Sequence, residues 1–231
     1  MPQAILHALR IVSTLLALSL LAGCAAVVVG GATTTALVAS DRRSTGEQVD
    51  DQTIELRADS ELEQAFGDQA RISVMSYAGR VLLIGDVPSE ADRQKATDIV
   101  RGIFRVKSVD NFLRVGNITP FSVRSNDTWI TSKVKSQLIA TKDVPFRTIK
   151  VMTERGTVYL MGKVTAPEGE RAAKAAATVA GVNKVIKLFD VVTPEALREE
   201  YSDSPTAAEP AAAGSGSQAA GDPETQALPV K

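Results

Sequence analysis

The stretch "GRVLLIGDV" (79–87) decides the fold, because the chain repeats its pattern as "GTVYLMGKV" at 156–164. Both copies read G-x-V-x-L-x-G-x-V, and apolar residues recur at every second position, as they do in a half-buried β-strand. A glycine opens each copy, and glycine readily adopts the positive φ that a tight hairpin turn needs. The sequence therefore predicts two equivalent β-hairpins.

Agreement between the copies extends beyond the hairpins. "RISVMSY" (71–77) matches "TIKVMTE" (148–154), and a helical pattern precedes each of these strands. A second helix follows each hairpin, with Ser89 as the expected N-cap in the first copy, and a closing strand follows that helix. We therefore predict an α+β protein of two tandem αββαβ domains, at 50–117 and 123–192.

A leader precedes the two domains. The chain opens with "MPQAILHALR", continues with the apolar run "IVSTLLALSLLAG", and reaches L-A-G-C at 21–24. This order resembles the lipobox of bacterial lipoproteins. It implies that 1–23 is a cleaved signal peptide, that Cys24 is acylated, and that 24–49 is a tether. The alternative is an N-terminal membrane helix, although three glycines between 23 and 31 would weaken one.

Cleavage before Cys24 removes the only histidine of the chain and uses its only cysteine. Catalytic triads, Cys-His nucleophiles and histidine- or cysteine-based metal sites are then excluded. We predict no enzyme, no cofactor and no metal, although the carboxylates of Asp127 and Glu154 remain conceivable catalytic groups. The formal net charge of -1 gives no reason to expect a nucleic-acid partner.

The αββαβ unit with this hairpin resembles the BON domain, a family associated with phospholipid surfaces. "SNDTWITSKVKSQL" and "KVMTERGTVYLMGKVT" closely resemble segments of the dual-BON outer-membrane lipoproteins of enteric bacteria. The resemblance implies a lipoprotein on the periplasmic face of the outer membrane, with a role in envelope integrity and at the division site. We expect a monomer. The Ala/Pro/Gly/Ser-rich tail, 193–231, is predicted to be disordered.

The only tryptophan of the chain lies in "SNDTWITSKVKSQLIAT" (125–141), which reads as the first helix of the second domain. At 100° per residue, one stripe of that helix points inward and consists of Ile130, Val134 and Leu138. Trp129 and Ile139 point away from the stripe, with Lys133 and Lys135 at the margins. Indole groups suit the headgroup depth of a membrane, and lysines are attracted to anionic lipid.

The first domain provides an internal control, because it has Thr53 and Glu63 where the second has Trp129 and Ile139. Charge differs in the same sense. Residues 127–164 contain seven Lys/Arg and three Asp/Glu, whereas residues 50–87 contain three Lys/Arg and eight Asp/Glu. The second copy, with a net charge of +4, is the one suited to an anionic bilayer, and the first copy carries -5.

We therefore predict that the second domain binds anionic phospholipid through this helix, and the resemblance implies phosphatidylglycerol as the lipid. The projection favours Trp129, Ile139, Lys133 and Lys135, and the resemblance adds Val134 and Leu138 although they project inward. Three alternatives remain at this stage. The first domain could cover Trp129, the opposite charges could serve domain docking, or the outward face could anchor an envelope or division protein in an adaptor.

Overall fold

The computed structural model describes residues 41–202. The predicted signal peptide 1–23, the acylation site Cys24, the tether as far as residue 40 and residues 203–231 lie outside the described residues. The elements of the first domain, in chain order, are α1 (Thr45–Phe66), β1 (Arg71–Tyr77), β2 (Arg80–Val87), α2 (Glu90–Arg101) and β3 (Ser108–Val115). Those of the second are α3 (Phe121–Ala140), β4 (Lys150–Glu154), β5 (Thr157–Val164), α4 (Ala166–Ala177) and β6 (Lys184–Val191). A further helix, α5 (Pro194–Ser202), follows.

Each domain folds as αββαβ, so the predicted α+β class and its tandem repeat are confirmed. The sheets have the orders β1-β2-β3 and β4-β5-β6. In each, the central strand pairs antiparallel with the first strand and parallel with the third. A parallel neighbour needs a crossover connection, which α2 and α4 provide.

Helix α1 begins inside the segment that the sequence assigned to the tether. Ser44 is its N-cap, and the side chain of Glu47 returns to the backbone N–H of Ser44, which completes a capping box. This Ser-x-x-Glu signature fixes the helix start at Thr45, so residues 45–49 are helical rather than tether. Ser89 caps α2 as predicted, by accepting from the backbone N–H of Asp92 at 3.2 Å.

Both hairpin turns have two central residues with positive φ, at Ala78–Gly79 and Arg155–Gly156. The glycines behave as predicted, but alanine and arginine are strained in this conformation. A buried aspartate from the preceding helix holds each turn. Asp51 accepts both turn N–H groups at 2.7 and 2.9 Å, and Asp127 accepts its pair at 2.8 and 2.9 Å.

The second glycine of each motif sits where the neighbouring strand comes close. A Cβ on Gly85 would lie 1.9 Å from the carbonyl oxygen of Arg71, and one on Gly162 would lie 2.4 Å from that of Thr148. No side chain fits at such a distance. The motif therefore needs its first glycine for the turn and its second for close strand approach.

In each domain the two helices cover one face of the sheet and form an apolar core with it. The inner stripe of α1 is Ile54, Ala58 and Leu62, and the corresponding stripe of α3 is Ile130, Val134 and Leu138. Every second residue of the central strand points into these cores. In β2 these residues are Val81, Leu83 and Val87, all fully buried.

The other faces of the two sheets pack against each other. A third apolar cluster joins the domains and contains Met75, Tyr77, Leu82, Ile84, Tyr159, Met161 and Leu188. Phe112 adds an edge-to-face contact with Tyr159, at 5.2 Å between ring centroids. The order of layers is helices, sheet, sheet, helices, and it places the helix pairs of the two domains on opposite sides of the protein.

Polar pairs border the apolar contact between the sheets. Arg71 and Glu154 form an ion pair at 2.5 Å, and Tyr77 is hydrogen-bonded to Thr148 at 2.6 Å. These pairs are equivalent under the repeat, because Arg71 matches Thr148 and Tyr77 matches Glu154. The excess acid of the first domain meets the excess base of the second where Glu55 pairs with Lys150 at 2.8 Å, but apolar side chains form the centre of the contact.

Residues just before α1 connect the two domains. Arg42 forms a bidentate ion pair with Glu168 of α4, at 2.7 and 2.8 Å. The hydrogen bonds from Arg42 lower the pKa of Glu168 to about 2. Arg43 contacts the first domain, with its guanidinium 2.7 Å from Asp51 and 4.4 Å from the ring centre of Tyr77. The chain therefore enters the fold at a fixed point between the domains.

The segment predicted as a disordered tail begins with a helix. α5 starts at Pro194, with Glu195 in its first turn, and both residue types suit a helix N-terminus. The prediction of disorder is therefore wrong for 194–202. Across residues 41–202, no helix is both long enough and apolar enough to span a bilayer.

Candidate functional site

Helix α3 is held on its sheet by the stripe that the projection identified. Ile130, Val134 and Leu138 are each no more than 1% exposed. The resemblance implied that Val134 and Leu138 contact lipid, and the structure corrects this implication. Both side chains lie in the core of the second domain, where they fix which face of α3 points outward.

Trp129 and Ile139 lie on the outward side of α3, with 63% and 58% of their surface exposed. The first domain does not cover them, because the two domains meet through the opposite faces of their sheets. The alternative that Trp129 is buried under the first domain is therefore wrong. The largest apolar side chain of this helix is open to solvent.

The structure adds two apolar residues that the sequence analysis missed. α3 begins at Phe121, four residues before the predicted start, and Phe121 is 73% exposed while Val123 is 36% exposed. The predicted helix began at Ser125, so Phe121 and Val123 fell outside the helical projection. Pro120, which directly precedes the helix, was the available signal, since proline is favoured at a helix start.

Hydroxyl groups lie between the exposed apolar side chains and are turned back onto the helix. Thr128, Ser132 and Ser136 each donate to the backbone carbonyl four residues earlier, at 3.1 Å. Such bonds satisfy the hydroxyl hydrogen without water. The small polar residues of this face can therefore enter a less polar environment without losing a donor bond.

Three basic residues lie along the same helix. Lys133 donates to the carbonyl oxygen of Ala180 at 2.7 Å, so it also fixes α3 to the loop after α4. Lys135 is exposed, and Arg124 is half-buried with its guanidinium 5.5 Å from the ring centre of Phe121. We call Phe121, Trp129 and Ile139, with their intervening serines and threonines and these three basic residues, the α3 outer face.

The matched helix α1 has a different surface. Thr53 and Glu63 are exposed at the positions of Trp129 and Ile139, and Asp59 is exposed at that of Lys135. Leu56 is 72% exposed, but its neighbours three and four residues away along the helix are Gln52, Thr53, Asp59 and Ser60, of which none is apolar. The same scaffold thus presents a face of apolar and basic residues on one side of the protein and an acidic face on the other.

The two carboxylates considered as catalytic groups have structural partners. Asp127 is buried and accepts the two N–H groups of the second hairpin turn. Glu154 forms its ion pair with Arg71 across the domain contact. Within residues 41–202, no group of three or more His, Cys, Asp or Glu side chains is arranged to hold a metal ion.

Comparison with known proteins agrees with this architecture. The profile of the BON domain family matches residues 50–117 and 126–193, one match for each αββαβ unit. The chain belongs to the BON domain family. The BON resemblance stated from the hairpins and flanking segments is thereby confirmed.

Individual relatives match between about half and three quarters of the chain. The chain is 40% identical over 171 residues to outer membrane lipoprotein DolP of Haemophilus influenzae, an alignment covering 73% of this chain and 89% of that protein. It is 39% identical over 154 residues to the 21 kDa hemolysin of Actinobacillus pleuropneumoniae, covering 66% and 79%. Osmotically-inducible protein Y of Escherichia coli is 37% identical over 117 residues, covering 49% and 58%.

Proposed function

We propose that this BON-family protein is a non-enzymatic lipoprotein of the outer membrane whose second domain binds anionic phospholipid through the α3 outer face. The observation that carries the proposal is the difference between the matched helices. α3 exposes Phe121, Trp129 and Ile139 beside basic residues, whereas α1 exposes acidic and polar residues at the equivalent positions. The similarity to an outer membrane lipoprotein supports the location.

The chemistry of this face suits the boundary between headgroups and acyl chains. Aromatic side chains are favoured at that depth, and exposed cations are attracted by an anionic leaflet, with about 1 kcal/mol for each Lys or Arg near the surface. The hydroxyls of Thr128, Ser132 and Ser136 already donate to the helix. The helix can therefore lie in the membrane surface while the sheet and the first domain remain in the periplasm.

The proposed anchor is compatible with this orientation. Acylated Cys24 and Asp41 are 17 residues apart in sequence. Fully extended, such a segment would span about 55–60 Å, which exceeds the dimensions expected for the two folded domains. An anchor in the inner leaflet of the outer membrane would then leave α3 free to reach the same leaflet.

Flotation of vesicles tests the proposal. The protein without its leader and with Cys24→Ser should float with phosphatidylglycerol-containing vesicles and not with phosphatidylcholine alone. Trp129→Glu should weaken binding about tenfold or more, because it removes an apolar anchor and adds a repelled charge. Thr53→Glu, at the equivalent position of the first domain, is the matched control and should bind like the parent.

The competing function is a protein–protein adaptor that uses the same α3 outer face. A parent protein that ignores anionic vesicles at low salt would contradict lipid binding and favour the adaptor. Envelope integrity and enrichment at the division site belong to the proposal as the cellular consequence of lipid binding. A fluorescent fusion should lose that enrichment in Trp129→Glu and keep it in Thr53→Glu.

A further inference from the structure

Arg124 differs from the other basic residues of the α3 outer face because part of its guanidinium group, the Nε, is shielded from solvent. It shares a shallow groove with Phe121, Trp129 and three hydroxyl side chains. Its Nε is shielded from solvent and has no hydrogen-bond acceptor among the described residues. A shielded N–H of a charged group without an acceptor is costly, and an incoming anion would satisfy it.

Within residues 41–202, no acidic side chain forms an ion pair with Arg124. Asp127, one turn further along the helix, is buried and committed to the second hairpin turn. The first turn of α3 contains no acidic residue, and no side chain caps its N-terminus. The positive end of the helix dipole therefore adds to the charge of Arg124 instead of being neutralised.

The first domain again provides the contrast. Gln48 occupies the position that matches Arg124, and its side-chain amide donates to the carbonyl oxygen of Arg43 at 3.2 Å. That helix also has its N-terminal N–H groups satisfied by the capping box of Ser44 and Glu47. The unsatisfied, cationic start of the helix is therefore a property of the second domain.

We propose that Arg124 binds the phosphodiester of an anionic phospholipid headgroup while Phe121 and Trp129 enter the membrane on either side of it. This inference rests on the membrane binding proposed above and assigns the headgroup site within it. A guanidinium matches a phosphate with two parallel N–H donors, which a lysine ammonium cannot reproduce. The flanking rings place the phosphate at the depth where headgroups lie.

Substitution at constant charge tests this assignment. The fluorescence of Trp129, the only tryptophan, is followed while phosphatidylglycerol–phosphatidylcholine vesicles are added to the leaderless Cys24→Ser protein. Arg124→Lys should bind about fivefold more weakly than the parent, since one or two charge-assisted hydrogen bonds are lost while the charge stays. Its melting temperature should be unchanged, because the Arg124 side chain makes no described hydrogen bond.

Lys107→Arg is the matched control, because Lys107 is exposed and lies in the first domain, outside the α3 outer face. It should bind like the parent, and the double variant Arg124→Lys/Lys107→Arg should remain about fivefold weaker. Parent-like binding by Arg124→Lys, or recovery in the double variant, would overturn the headgroup site and leave the membrane proposal standing. No spectral change of the parent with these vesicles would overturn both. Inorganic phosphate alone should leave the emission spectrum of Trp129 unchanged. If phosphate alone produced the full shift that vesicles produce, the ligand of Arg124 would be a free anion and the assignment of a lipid headgroup would be wrong.

Discussion

Helices α1 and α3 make equivalent contacts inside the protein, but their solvent-exposed faces differ. Both bury an apolar stripe on a three-stranded sheet, and both place an aspartate, Asp51 or Asp127, under a strained hairpin turn. Their outward faces share almost nothing. The comparison teaches that the scaffold fixes inward positions and leaves the outer face of each helix open to functional change.

The largest effect should come from breaking what the helices share. Asp127→Ala removes a buried acceptor from two turn N–H groups, and we expect it to lower the free energy of unfolding by about 3–5 kcal/mol. Asp51→Ala should cost at least as much, because Asp51 also accepts from Ser76 at 2.6 Å and pairs with Arg43. Urea denaturation measures both, and a loss below about 1 kcal/mol would contradict the role given to the turns.

Exchange of the outer faces should have the next largest effect, on membrane binding. Trp129→Thr with Ile139→Glu gives α3 the residues of α1, and should weaken binding to phosphatidylglycerol vesicles more than tenfold. The reverse graft, Thr53→Trp with Glu63→Ile, should add little to the affinity, since acidic residues surround those positions. Flotation of both double variants sharpens the comparison, and strong extra binding by the graft would show that the basic residues of α3 are unnecessary.

A smaller effect concerns the entry of the chain into the fold. Burial alone would raise the pKa of a carboxyl, but the hydrogen bonds of Arg42 lower that of Glu168 to about 2. The unfolded chain therefore takes up this proton first, and the pair stabilises the fold above pH 4.5 and loses its effect between pH 4.5 and about 2.

Arg42→Gln should destabilise the protein by about 1 kcal/mol at neutral pH and make its acid dependence shallower. Thermal unfolding from pH 7 to pH 2 compares it with the parent. Equal slopes for the two proteins would show that the pair contributes nothing to the joining of the N-terminal segment to the second domain.

The smallest effect is expected within the α3 outer face itself. The Ser132 hydroxyl donates to the helix carbonyl of Thr128, so Ser132→Ala removes no donor that lipid or water needs. Vesicle affinity should stay within about twofold, and helix propensity should add a few tenths of a kcal/mol of stability. A marked loss of affinity in flotation would mean that the hydroxyl itself contacts the headgroup.

Sequence periodicity could predict the repeat, the hairpins and the inward stripe, because these depend on local patterns. It also identified Trp129 and Ile139 as outward. It could not show that the sheets pack face to face, since the alternate residues of β2, such as Leu82 and Ile84, have no local sign of their partner. That packing decides whether Trp129 is exposed.

Other features could not be predicted from sequence patterns, because they depend on contacts between residues far apart in the chain or on how a helix end is capped. Asp51 and Asp127 matched in the repeat, but only the fold brings them beneath the turns. Phe121 and Arg124 lie before residue 125, where the predicted helix began, so the helical projection did not include them. Val134 and Leu138 show the opposite error. The resemblance implied that they contact lipid, although the projection had already placed them on the inward side of the helix.

Quenching of Trp129 by lipids with brominated acyl chains tests most directly whether the α3 outer face enters the membrane. In vesicles containing phosphatidylglycerol, bromines near the headgroup end of the chains should quench the fluorescence strongly, and bromines near the chain end should quench it weakly. Fluorescence that no brominated lipid quenches, while the protein remains bound to the vesicles, would show that the indole stays in water and would contradict the account.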